Sequence, residues 1–184
     1  MTLPTSASSA APRPTAARRH RGLLLPTALC AALLLGGCSA MIAQNPSSTL
    51  QPVNAVADAG DERVMLAGHD VVAYFTQGRH APGLLRIKSV YQGVTFRFAT
   101  EQHKALFDAN PVKYLPQYGG YCAFGLARGY KAVIDPAAFT IACGKLYLNY
   151  NASIQSQWLR QRDSDISRAD ALWPKVKHNP EVAR

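Results

Sequence analysis

The sequence lacks the short motifs that mark most metal, redox and catalytic sites. Its 184 residues include four cysteines and five histidines, but neither Cys-x-x-Cys nor His-x-x-x-His occurs, so no spacing is diagnostic of a metal site. A glycine-rich phosphate loop, a metalloprotease motif, paired carboxylates in a recognisable context and a serine with a partnered histidine and aspartate are also missing. These absences argue against an enzyme.

Charge and long apolar runs are also scarce. Charged residues make up 17% of the chain, and no basic stripe is interleaved with aromatic residues, so nucleic acid is not an expected partner. The apolar stretch from Leu23 to Leu35 is interrupted by Pro26 and Thr27. It is shorter than the roughly 20 residues of a membrane-spanning helix. No internal repeat is visible.

The N-terminus instead has the pattern of a secretory signal, a basic segment followed by that apolar stretch. The stretch ends in Leu35-Gly36-Gly37-Cys38, which resembles the lipobox of bacterial lipoproteins, whose cysteine is acylated before cleavage. The resemblance implies that residues 1–37 are removed and that Cys38 carries a lipid anchoring the chain to a membrane. The alternative is an ordinary cleaved signal that leaves Cys38 as a free thiol.

The residue after the lipobox cysteine is Ser39, and the resemblance therefore implies sorting to the outer membrane of the cell envelope, facing the periplasm. Four of the 20 basic residues and none of the 11 acidic ones lie in residues 1–37, so their removal lowers the formal charge from +9 to +5. Residues 38–60 are rich in small and polar residues and predict a flexible tether. Residues 61–178 predict one domain, and 179–184 a C-terminal tail.

Turn and periodicity signals predict a small single α+β domain with antiparallel hairpins and short helices. Apolar alternation in residues 94–98 after Gln92-Gly93 predicts a half-buried hairpin. A second hairpin is predicted around Cys143-Gly144, and paired glycines at Gly119-Gly120 predict a tight loop. Helix starts are predicted at three capping residues, namely Thr100, Ser153 and Ser167.

Four segments resemble the YHS domain family in its secreted or lipoprotein branch. They are Gly68-His69-Asp70-Val71-Val72-Ala73-Tyr74-Phe75, residues 91–98, residues 110–114 and Tyr118-Gly119-Gly120-Tyr121-Cys122-Ala123. In that branch the first motif usually has tyrosine where this chain has His69 and proline where it has Val71. Related short YHS domains accompany copper-transporting ATPases and mercury proteins. The resemblance therefore implies binding or relay of a heavy or transition metal ion such as copper.

The candidate ligands for such an ion are Cys122 as a thiolate, His103 and His69 as imidazoles, and Asp70 as a hard outer ligand or hydrogen-bond partner. Each has a structural alternative: Cys122 as a buried small apolar residue, His103 as a core histidine, His69 as a solvated turn residue. In an oxidising compartment Cys122 has one further alternative, a disulfide with Cys143, which would withdraw the thiolate from a metal.

A second hypothesis from a different class is a metal-free module that binds an envelope protein or a small ligand in an aromatic pocket. Its candidate pocket residues, which as core packing would need no ligand, are Tyr74, Tyr118 and Tyr121, with Phe124 and Tyr130. The two hypotheses differ in whether Cys122 and His103 converge on one open site.

Overall fold

The computed structural model describes residues 53–179 and 181–184, which form a small mixed α+β domain. The strands are β1 Ala55–Asp58, β2 Asp61–Met65, β3 Leu84–Tyr91, β4 Val94–Phe98, β5 Lys131–Ala132, β6 Asp135–Ala142, β7 Lys145–Asn149 and β8 Val182–Ala183. The helices are α1 Ala73–Thr76, α2 Glu101–Ala109, α3 Pro111–Tyr114, α4 Ala123–Leu126, α5 Ala152–Leu159 and α6 Arg162–Val176, with short 3-10 turns at Leu66–Gly68 and Gln117–Gly120.

The largest sheet has the strand order β1-β2-β4-β3, in which β4 pairs in parallel with β2 and antiparallel with β3. Gln92 and Gly93 connect β3 to β4 with positive φ values of 50° and 74°, as a two-residue hairpin turn requires. The predicted hairpin is confirmed. All five residues of β4 are buried, however, so the strand is not half-buried. Arg97 is accommodated there because its guanidinium pairs with Asp58 and Asp61.

The second predicted hairpin is also confirmed, since β6 and β7 pair antiparallel around Cys143-Gly144. Thr100 caps α2, where its side chain accepts a hydrogen bond from the backbone N–H of His103. The other two predicted caps are wrong. Asn151 caps α5 by accepting from the backbone N–H of Ile154 at 2.9 Å, which leaves Ser153 inside the helix. The last helix begins at Arg162, so Ser167 lies in its interior.

Two hydrophobic clusters make up the core, and β7 contributes to both. Leu146 and Leu148 belong to a first cluster with the large sheet and Phe107 of α2. Tyr147 belongs to a second cluster with Trp158 of α5 and further residues of α4 and α6. Successive residues of a strand point to opposite faces, so this one strand joins the two clusters into a single domain.

The folded part extends beyond the predicted limits at both ends. Val53 is buried and the backbone N–H of Asn54 donates to Gly119 O at 2.8 Å, so the last residues of the predicted tether belong to the domain. The predicted tail contains β8, which pairs in parallel with β5. The Asn54–Gly119 hydrogen bond and the β5–β8 pairing each join residues far apart in the chain. Local sequence patterns do not encode such contacts.

The predicted signal and Cys38 lie outside the described residues. Within residues 53–179 and 181–184, every helix falls short of the length and apolarity needed to cross a bilayer.

Candidate functional site: a cavity at Cys122

Cys122 lies where the glycine-rich turn meets α4. Its backbone N–H donates to Ala132 O of β5 at 3.1 Å, and it forms an isolated β-bridge with Leu148 of β7. The preceding turn places Tyr118, Gly119 and Gly120 at positive φ, which confirms the predicted tight loop. The position of Cys122 is therefore fixed in two ways. Its backbone contacts two strands, and the turn before it has a conformation that few sequences adopt.

The side chain of Asn149, at the end of β7, holds the thiol and the first turn of α4 together. Its Oδ1 accepts from the backbone N–H of Phe124 at 3.3 Å and lies 3.8 Å from Cys122 Sγ. Asn149 is fully buried, and its Nδ2 has no hydrogen-bond partner among the described residues. A buried amide nitrogen without a partner lowers the free energy of unfolding. The contacts of Oδ1 with Cys122 and Phe124 offset part of that cost.

Cys122 lines a cavity of about 290 Å³. Aromatic and aliphatic side chains form most of its walls, and the exposed residues Tyr130 and Tyr150 contribute to it. The full lining consists of Cys122, Phe124, Tyr130, Ala132, Tyr150, Ile154, Ala183 and Arg184. A concave, mostly apolar surface with few polar groups is the usual form of a small-molecule site.

Burial sets the chemistry of this thiol. Desolvation raises the pKa of Cys122 above the usual thiol value, although backbone N–H groups beside it act in the opposite direction. At neutral pH the sulfur is therefore a protonated thiol and not a thiolate. Cys122 and Cys143 are both free, and Cys143 is exposed, so the structure does not contain the disulfide considered as an alternative.

Asp70 and His103 are brought together, but at a different place. Asp70 Oδ2 lies 2.6 Å from His103 Nδ1 and accepts from the backbone N–H of Ala99 at 2.8 Å. The other oxygen accepts from Val72 N at 2.9 Å. Asp70 has no exposed surface and His103 is 94% buried. The pair joins the α1 turn, the end of β4 and the start of α2.

The outer nitrogen of His103 faces polar groups at the surface. Nε2 lies 3.2 Å from Thr76 Oγ1 and 3.4 Å from Gln77 Nε2. An Asp-His-hydroxyl line is the arrangement of a nucleophilic triad, but the Thr76 hydroxyl donates its proton to Val72 O at 3.0 Å. A general base must accept that proton, so this arrangement favours a structural role for His103.

His69 occupies a third environment. Its Nδ1 lies 3.0 Å from Leu66 O, and its ring is 5.7 Å from that of His80. In the part of the chain that the structure describes, no group of three or more His, Cys, Asp or Glu side chains is arranged to hold a metal ion. Neither the contacts of His103 nor those of His69 include Cys122, so the candidate ligands do not share one site.

The three tyrosines proposed for a pocket are core residues. Each hydroxyl has a partner inside the protein: Tyr74 donates to Pro136 O at 3.1 Å, Tyr118 to Asp170 Oδ1 at 2.9 Å and Tyr121 to Val53 O at 3.0 Å. Burial raises the pKa of all three. None of them lines the cavity at Cys122, whereas Phe124 and Tyr130 do.

Sequence reasoning missed Asn149, Tyr150, Ile154 and the C-terminal residues Ala183 and Arg184 as parts of this region. Tyr150 and Ile154 could have been found, because they directly follow β7, the last strand of the predicted second hairpin. This strand forms a β-bridge with Cys122 through Leu148. The contribution of Ala183 and Arg184 depends on the β5–β8 pairing, for which the sequence has no local signal.

Comparison with known proteins finds no matching protein-family model, no matching curated protein and no matching solved structure.

Proposed function

We propose that this domain is a metal-free binding module whose cavity at Cys122 takes a small, uncharged, apolar or aromatic molecule. The observation that carries the proposal is the cavity itself, with an aromatic and aliphatic lining and a buried, protonated thiol. Apolar walls favour an apolar occupant, since burying an unpaired polar group there is costly. We propose binding and not catalysis, because the Thr76 hydroxyl beside the Asp70–His103 pair donates its proton to Val72 O and not to His103.

The size of the cavity limits the ligand. About 150 Å³ is enough for benzene in a dry protein cavity, so about 290 Å³ suits a molecule of one or two rings or a short acyl chain. The exposed rings of Tyr130 and Tyr150 would contact a ligand that extends outward.

The cellular setting is part of the same proposal. The lipobox resemblance at Cys38 supports a lipid-anchored protein of the bacterial cell envelope that faces the periplasm, with Ser39 supporting the outer membrane. The motifs around Asp70 and Cys122 support membership of the YHS family. A binding module held at a membrane surface would then meet its ligand in the periplasm.

Capture or relay of copper by Cys122 is the competing proposal. A cysteine in the wall of a cavity supports it, since Cu(I) prefers sulfur ligands. The contacts of Asp70, His103 and His69 lie elsewhere, so Cys122 would have to act without the other ligands suggested by the sequence. The metal-free module therefore has the stronger support.

The test is binding of 5-fluoroindole, a neutral aromatic probe, to the full chain, followed by fluorine NMR. Ala183→Phe places a large side chain in the cavity wall at an exposed position of β8. Ala137→Phe, an exposed alanine of β6 away from the lining, is the matched control. We expect saturable binding that Ala183→Phe weakens at least tenfold and Ala137→Phe leaves unchanged.

The competing proposal is decided in the same samples with Cu(I) under reducing conditions. Stoichiometric Cu(I) binding that Cys122→Ser abolishes, together with no saturable binding of 5-fluoroindole, would replace the metal-free module by a metal site. Equal binding of the fluorinated probe by the parent and Ala183→Phe would also reject the cavity as the ligand site.

A further inference from the structure

One face of the Phe124 ring, in the wall of the cavity at Cys122, is covered by a cation. Phe124 lies in α4 and lines the cavity, whereas Arg128 does not. The guanidinium of Arg128 lies over the ring, with Cζ 3.2 Å from the ring centre. Its Nη1 also donates to the backbone O of Phe124 at 2.8 Å. A ligand in the cavity can therefore reach only the other face of the ring or its edge.

A buried carboxylate holds the guanidinium in this place. Asp165 of α6 is fully buried, and its Oδ2 lies 3.4 Å from Arg128 Nη1 and accepts from Gln161 Nε2 at 3.3 Å. Its Oδ1 pairs with Arg168. An unpaired charge is costly to bury, so these contacts are retained in the folded protein. α6 thereby fixes Arg128 and, through it, the ring of Phe124.

The charges behind the ring do not cancel. Asp165 is shared by the guanidiniums of Arg128 and Arg168, and one carboxylate neutralises only one of them. The side chain of Arg128 is only 33% exposed, so water and salt screen its charge less than that of a fully exposed arginine. This charge acts in the cavity, because it tends to lower the pKa of the Cys122 thiol against the larger, opposite effect of burial.

A cation on one face of a ring changes what the other face attracts. The faces of an aromatic ring carry the negative part of its quadrupole, and a cation draws this π density towards itself. The face of Phe124 opposite Arg128 is then less negative than that of an unpaired phenylalanine. An electron-rich ring, whose own faces are strongly negative, is repelled less there, whereas an electron-poor ring loses part of its attraction.

We propose that the cavity at Cys122 selects electron-rich aromatic rings, which stack on the face of Phe124 opposite Arg128, and that Arg128 determines this preference. The inference rests on the proposed function and deepens it, since it names the class of ligand that the cavity takes. Arg128 is a positioning residue, which acts through Phe124 and does not touch the ligand.

The test compares two probes of similar size, 4-fluoroanisole with an electron-rich ring and 4-fluoronitrobenzene with an electron-poor one. Binding of each probe to the full chain is followed by fluorine NMR. Arg128→Met keeps an aliphatic stem and removes the charge. Arg162→Met is the matched control, because Arg162 also pairs with a carboxylate, that of Asp163, away from Phe124. We expect the parent to bind the anisole roughly threefold more tightly or better, with this preference lost in Arg128→Met and unchanged in Arg162→Met.

Two further readouts keep the result clear if Arg128→Met fails to fold. Arg128→Lys keeps a positive charge and is expected to retain a preference for the anisole. In the unmodified chain, nuclear Overhauser contacts are expected between the ring protons of bound 4-fluoroanisole and those of Phe124.

The outcomes separate this inference from the proposed function. Binding of neither probe would reject both. Equal or tighter binding of 4-fluoronitrobenzene by the parent, at a site that Ala183→Phe blocks, would overturn the inference alone and leave the cavity as a ligand site. An unchanged preference in Arg128→Met, or the absence of Overhauser contacts with Phe124, would also overturn only the inference.

Discussion

Asp70 shows how much of this fold depends on one side chain. Its two carboxylate oxygens accept from the backbone N–H groups of Val72, Ala73 and Ala99 and contact His103 Nδ1. A fully buried carboxylate is stable only with such partners. The sequence placed Asp70 and His103 on one list of candidate residues because both are potential ligands. It could not show that they pair, since they lie 33 positions apart in the chain.

Replacing this carboxylate is expected to be severe. Asp70→Asn brings an amide nitrogen against the N–H donors that Oδ2 now accepts from, and we expect a loss of about 3 kcal/mol or more in the free energy of unfolding. Urea denaturation of the full chain, followed by circular dichroism, measures it. Asp108→Asn is the control, because Asp108 is exposed and pairs with Lys104 at the surface, where such pairs contribute at most about 1 kcal/mol. Equal losses in the two variants would contradict the role given to Asp70.

Among the elements, the turns were the most predictable because their chemistry is local. Gln92-Gly93, Cys143-Gly144 and Gly119-Gly120 all adopt positive φ, and glycine makes such turns accessible. The last helices were less predictable at their starts, since Asn151 and Ser153 are both good caps and only the structure shows which one is used. The β5–β8 ladder could not be predicted, because two-residue strands carry no periodicity.

Substitution of Gly120 tests how much the tight turn before Cys122 contributes to the free energy of unfolding. Gly120 has φ +82°, and an added Cβ would lie 3.0 Å from Leu66 Cδ2. Gly129 has φ +85° with nothing within 4 Å of an added Cβ, so Gly129→Ala isolates the backbone cost of about 1 to 2 kcal/mol. We expect Gly120→Ala to lose at least about 1 kcal/mol more in denaturant unfolding, since a core contact must also shift. Indistinguishable losses would show that Leu66 moves aside freely.

For the whole molecule, the fold class could be predicted from the sequence, whereas the first and last residues of the domain could not. Alternation in residues 94–98 and the helix signal at Thr100 were enough to indicate a small α+β domain. The domain nevertheless includes Val53 and Ala183, which composition had assigned to a tether and a tail. Composition describes a segment without its partners, and both segments acquire their structure from pairing with distant strands.

Lipid anchoring is the prediction that concerns the whole chain. If Cys38 is acylated, Cys38→Ser should move the protein expressed in a bacterial host from the membrane pellet to the supernatant. Cys30→Ser, a thiol within the predicted signal, should leave it in the pellet. Fractionation with an immunoblot measures both, and mass spectrometry of the parent should show an acylated N-terminal cysteine. Retention of Cys38→Ser in the pellet, or an unmodified Cys38 in the parent, would argue for an ordinary cleaved signal.

The short β5–β8 ladder has a thermodynamic consequence. It is two residues long, and its pair Ala132 and Ala183 lines the cavity at Cys122. A ligand that binds there only while the ladder is formed must also stabilise the ladder, since linkage couples the two equilibria by the same factor. Backbone N–H groups held by the ladder would then exchange their hydrogens more slowly when the cavity is filled, so an occupant of the cavity would hold the C-terminal strand in place.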